Sequence, residues 1–209
     1  MASSRWALVL LLAAYAAPLH ATQAAAAPQT AAQNNAPPTQ QIKSPAAVFI
    51  IRHAEKPVGD DKSPDLNPVG FTRARAVPSL FIPSPGHFAR FPRPDFLFAS
   101  APAKHSNRPV ETITPLAQAL HMKINTDYAD IETVPIARRI LSGAYAGKVV
   151  LICWHHGEIP HLAEAFGVAD APHRWDPDVL DQIWEIQWID GKPSMVILPQ
   201  RLLPGDATQ

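Results

Sequence analysis

The chain has 209 residues, with 18 Lys and Arg against 18 Asp and Glu, for a formal net charge of zero. That balance excludes the strongly basic composition of a typical nucleic-acid binder and gives no reason to expect an anionic membrane as partner. The hydrophobic fraction, 47%, is that of a globular domain, and with one cysteine, Cys153, an intramolecular disulfide is excluded.

Residues 1–21 read as a signal peptide. Arg5 supplies a positive start, and the apolar run after it is about a dozen residues long, too short to span a bilayer. Small residues follow, with cleavage expected after Ala21 or Ala24. The expectation is export to a periplasm or to the outside, with no stable membrane insertion once the segment is removed. Residues 22–44 are rich in Ala, Gln, Pro and Asn and hold no aromatic side chain. They cannot bury enough surface to offset their ordering entropy and read as a disordered linker. A domain is expected over 45–209.

The first strand of that domain is Val48-Phe49-Ile50-Ile51, which ends abruptly in Arg52-His53. After a polar loop, Asn67 caps a helix with Pro68 in its first turn. That helix should carry Phe71, Ala74 and Val77 to a core and end by Pro83. A Pro-rich loop to Pro94 is expected to border the entrance to a site. Residues 96–100 read as a second strand, and Arg108-Pro109 opens a helix with Ile113, Leu116 and Leu120 on one face. A short strand at 124–126 and a helix over 134–142, closed by Gly143, come next. Val149 to Cys153 is again an apolar strand, followed by a helix over 159–166 that ends at Gly167. Residues 183–189 and 195–198 form a hairpin around Asp190-Gly191. Trp184 and Trp188 share a face of what reads as an edge strand, where core packing is the plainer role than an interface. Strands alternating with helices predict an α/β fold, a three-layer α/β/α sandwich with a mostly parallel sheet and the C-terminal hairpin at one edge.

Two apolar strands thus end in histidine, the first at His53 and the second at His155 and His156. Open α/β sheets bind ligands at the carboxyl ends of their strands, so one site built from two imidazoles and an arginine is expected. Arg108, at a helix start, has the fork geometry that grips a phosphate bidentately. A metal is not expected. His155, His156 and His161 do not share a helical face at the i, i+4 spacing of a zinc-binding pair, and Cys153 reads as a buried, inert thiol.

Four blocks in this order, Arg52-His53-Ala54-Glu55, Leu66…Gly70…Arg73-Ala74, Ala99-Ser100…Arg108…Glu111-Thr112 and His155…Ile159, resemble the histidine phosphatase superfamily, with its phosphoglycerate mutase-like fold. The resemblance spans residues 45 to about 203. It implies a metal-independent, cofactor-free phosphatase acting on small phosphomonoesters, with His53 as the nucleophile that becomes a phosphohistidine. Arg52, Arg108 and the second histidine would bind the phosphoryl group and stabilise its oxygens. Water would then hydrolyse the intermediate. A mutase of the same fold is less favoured in an exported chain with a short domain. A catalytically weak phospho-ligand-binding protein is the other alternative.

The chain departs from the family in having Ala54 where glycine is usual, and in a longer segment between Ser100 and Arg108 that includes Pro102 and His105. The second histidine stays open. Counting along the strand, or back from Ile159, selects His155, whereas a one-residue bulge at Trp154 selects His156. The general acid is open too, among Glu55, Glu158 and Asp130, with Asp127 and Glu132 in the same segment as the last. Lys56 and Lys104 are either extra phosphate contacts or surface charges.

Overall fold

An uninterrupted apolar run must be covered on both faces, and the first strand, β1 (Ala47–Arg52), is buried along its whole length. The computed structural model describes residues 44–206, which lie within one unit of the chain. The expected signal peptide over 1–21, and the linker over 22–44 apart from Ser44, lie outside the described residues. Among the described residues no helix is long and apolar enough to cross a membrane.

The other strands are β2 (Phe96–Ala99), β3 (Ile124–Asn125), β4 (Val149–Trp154), β5 (Gln182–Ile189) and β6 (Lys192–Pro199). They form one sheet in the order β3-β2-β4-β1-β5-β6. The first four are mutually parallel, and β5 and β6 form the antiparallel C-terminal hairpin at one edge. The helices are α1 (Pro68–Ala76), α2 (Pro78–Phe81), α3 (Arg108–Leu120), α4 (Thr133–Ile140) and α5 (Ile159–Ala165). Phe49, Ile51, Leu97 and Leu151 point to one face and pack against Leu80 and Phe81 of α2 and Ile113 and Leu116 of α3. Val48, Ile50, Val150 and Ile152 point to the other face, against Ile136 and Ile140 of α4 and Leu162 and Phe166 beside α5. Strand alternation therefore builds two cores, one on each side of the sheet, which is the expected three-layer α/β/α sandwich.

Some details differ from expectation. Asn67 caps α1 as expected, its side-chain oxygen accepting from the Gly70 N–H at 2.8 Å. The helical stretch ends by Pro83 as expected, but in two pieces. It breaks before Pro78, whose ring cannot continue the hydrogen-bond ladder, and restarts as α2. Ala74 and Val77 are buried, but Phe71 faces outward. β5 is not an edge strand, because β6 lies outside it; Trp184 is buried against Trp175, and Trp188 packs against Phe166. The loop around 83–94 turns inward to the core through Phe91, which packs on Phe49 and Phe81. The cavity that His155 lines is formed by residues of other segments.

Candidate active site

β1 and β4 are neighbours at the centre of the sheet, and their register runs without a bulge from Ala47↔Val149 to Arg52↔Trp154. The next residues are therefore His53 and His155. The His53 N–H continues the ladder, donating to the Trp154 carbonyl at 3.0 Å. The two rings meet edge to face, with centroids 5.1 Å apart and planes at 68°. The bulge that would have brought His156 to this place is absent.

His53 is 3% exposed, and its Nδ1 lies 2.7 Å from the Ala54 carbonyl oxygen. A carbonyl only accepts, so the proton sits on Nδ1 and the lone pair on Nε2. Burial pushes the His53 pKa down to about 3, reinforced by His155, Arg52 and Arg108 and opposed by the Ala54 hydrogen bond. The ring is thus a neutral, oriented imidazole at any ordinary working pH. Burial also lowers the pKa of His155, with Asp130 acting in the opposite direction.

Arg52, at the end of β1, is buried. Its Nη1 donates to the backbone carbonyls of Pro177 and Val179, the latter at 3.0 Å. Arg108 stands at the start of α3, which Pro109 opens with its fixed φ. Its Nη1 donates to the Pro64 carbonyl at 3.1 Å. The Nε atoms of both arginines are buried and have no hydrogen-bond partner. Such donors are costly until an acceptor reaches them, so each of these guanidinium groups keeps a buried N–H to which the described residues supply no acceptor.

Hydrogen bonds also join the segments that carry these groups. The Thr112 hydroxyl accepts from the Ala54 N–H at 2.9 Å and donates to the Arg108 carbonyl at 2.7 Å, tying the loop after β1 to α3. Glu111 accepts from the Leu66 N–H at 2.8 Å. Trp154 Nε1 donates to the Asp130 carbonyl at 2.7 Å and holds that segment beside His155.

The candidate acids separate. Glu55 is anchored through one oxygen: Oε1 accepts from Arg73 Nε at 3.0 Å and Nη2 at 2.9 Å, while Oε2 is buried without a hydrogen-bond partner. Arg73 is buried and also binds Asp206 at 2.8 Å, so Glu55 belongs to a buried ion cluster behind the loop. Asp127 is bonded to Asn125 and lines a cavity with Phe96 and Tyr145, and Glu132 accepts from the Ala129 N–H. Glu158 sits at the N-cap position of α5, where its side chain makes no capping bond. Asp130 alone of these shares a cavity with His155 and Arg108, a space of about 360 Å³ that His105 and Ser106 also line.

His156 instead faces a second cavity of about 240 Å³ beside Arg174, Trp175 and Pro177, where burial and the charges of Arg52, Lys56 and Arg174 lower its pKa. Lys56 lines a third cavity, of about 500 Å³, with Lys62, His105 and Arg108, and Lys104 is exposed. Cys153 is fully buried and its thiol pKa is pushed up, which makes it inert. Among the described residues no group of three or more His, Cys, Asp or Glu is placed to hold a metal ion. Sequence reasoning missed the carbonyls of Pro177 and Val179 and the tryptophans that fix the surrounding segments. Backbone acceptors have no side-chain signature, and their partners lie far along the chain.

No family model matches the chain, and no curated protein matches it. Solved structures do. The alpha-ribazole phosphatase from Shigella flexneri is similar at a TM-score of 0.51 and 12% identity, over 75% of this chain and 98% of that one. The protein histidine phosphatase SixA complexed with tungstate is similar at 0.49 and 12%, over 74% and 97%. A phosphoglycerate mutase from Bacillus anthracis is similar at 0.49 and 12%, over 76% and 95%. At such identities the likeness is one of fold, and it rests on the first of the three.

Proposed function

We propose that this chain, whose fold is that of the histidine phosphatase superfamily, is a metal-independent phosphomonoesterase working through a phosphohistidine on His53. One observation carries the reading: an unprotonated Nε2 on a buried imidazole, beside His155 and within the charge influence of Arg52 and Arg108, each of which keeps a buried Nε–H without a partner.

The phosphoryl group binds with its oxygens on Arg52, Arg108 and His155. Nε2 of His53 attacks phosphorus while the bond to the leaving oxygen breaks. Nδ1–H keeps its bond to the Ala54 carbonyl, which stabilises the positive charge growing on the ring. The guanidinium groups balance the charge spread over the phosphoryl oxygens, and the loose transition state asks for little more than this positioning and electrostatic support. The Asp130 carboxyl group, which shares the cavity with His155 and Arg108, gives a proton to the leaving oxygen. Water then attacks the phosphohistidine and returns a proton to Asp130, releasing phosphate and neutral His53. The leaving group occupies the cavity lined by Asp130, Ser106 and His105, whose volume suits a small molecule.

Hydrolysis of p-nitrophenyl phosphate in the presence of EDTA tests this. Wild type should turn over, and His53→Ala should lose at least about a thousandfold in kcat/KM. A wild type that binds orthovanadate without turning over would instead make the chain a phospho-ligand-binding protein. Turnover abolished by EDTA would contradict the mechanism.

A further inference from the structure

Arg52 reaches the site with one arm of its guanidinium occupied. Nη1 donates to the carbonyls of Pro177 and Val179, in the segment between α5 and β5. The same Val179 carbonyl accepts from Trp175 Nε1 at 2.8 Å. Trp175 is 2% exposed and stacks on Trp184, with centroids 5.1 Å apart and planes at 27°. Trp184 is itself fixed in β5 opposite Ile50 of β1. A rigid aromatic pair in the core is thus joined to the cation at the site through a single carbonyl. The charges of Asp176 and Asp178, from the same segment, also act on Arg52.

We propose that residues 175–179 form a clasp that orients Arg52, with Trp175 as its positioning residue. The proposal rests on the phosphatase reading for the identity of the anion. A guanidinium grips two oxygens of a phosphoryl group best along an edge that carries two parallel N–H bonds. With Nη1 held on two carbonyls, the edge left is Nε–Nη2, and Nε is the buried donor without a partner. Fixing the group in advance spares the ordering that substrate binding would otherwise have to supply. Trp175 touches no reacting atom. It fixes the position of the Val179 carbonyl, which in turn fixes Arg52.

Trp175→Phe keeps an aromatic ring against Trp184 and removes only the N–H. The folded variant should lose about tenfold in orthovanadate affinity and in kcat/KM, the value of one buried hydrogen bond. In an Arg52→Lys background, which lacks the Nε–Nη2 edge, the same change should cost nothing further. Wild-type affinity and kcat/KM in folded Trp175→Phe would overturn the clasp. So would an equal loss in both backgrounds, which is what a merely structural tryptophan would give. Side-chain ¹⁵N NMR of the ligand-free wild type tests the clasp whether or not the variants fold. The Nη1 protons of Arg52 should be protected from solvent exchange, and free exchange would overturn the proposal. A wild type that neither turns over p-nitrophenyl phosphate nor binds orthovanadate would sink the phosphatase reading instead, and the ligand-free spectrum would still decide the clasp.

Discussion

At the residue scale the chemistry turns on the protonation of His53. A histidine in an unfolded chain takes up its proton near pH 6.5, whereas His53 in the fold stays neutral down to about 3, chiefly because it is buried. Between those limits the unfolded chain binds a proton that the folded chain refuses. Stability is therefore complete above the unfolded value and falls as the pH drops toward the folded one. At about pH 4.5 the loss from this group is on the order of 2 kcal/mol. Urea unfolding at neutral pH and at about pH 4.5 should show His53→Gln losing less stability on acidification than wild type, by roughly that amount. Identical losses would mean that His53 takes up its proton without cost and is not held neutral by the fold. His155 and His156 are shifted in the same direction and leave a residual pH dependence in the variant.

At the element scale the site depends on how closely α1 lies against the loop after β1. A Cβ added at Gly70 would stand 2.4 Å from the Glu55 carbonyl oxygen and 3.0 Å from the Glu55 N, and both are backbone atoms that cannot swing aside. Gly70→Ala should cost about 1–3 kcal/mol, as overpacking does, and should also lower kcat/KM because the strained loop carries His53 and Ala54. Denaturant melts and kinetics on the same preparation check both parts; an unchanged stability would mean that the helix and loop are not in the contact described. The ion cluster of Arg73 with Glu55 and Asp206 ties this loop to the end of the domain. Glu55, two residues after His53, is therefore part of the support of the site.

For the whole molecule, the parts read correctly from sequence are those whose cause is local. The apolar runs of β1 and β4, each stopping at a histidine, place His53 and His155 at one end of adjacent parallel strands. Asn67-Pro68 and Arg108-Pro109 mark helix starts, and Asp190-Gly191 marks the hairpin. What sequence did not yield depends on partners far along the chain. The choice between His155 and His156 needed the β1–β4 register. The ion cluster that holds Glu55 needed Asp206, and the orientation of Arg52 needed two carbonyls more than a hundred positions away. Phe71 has the spacing of a core residue, yet the position of α1 turns it outward. The central claim, that His53 carries the phosphoryl group, is tested most directly by stopping p-nitrophenyl phosphate turnover with alkali and mapping phosphorylated peptides by mass spectrometry. The predicted result is an acid-labile, alkali-stable phosphoryl group on the peptide containing His53, absent from His53→Ala. A phosphoryl group on any other residue, or sustained turnover by His53→Ala, would contradict it.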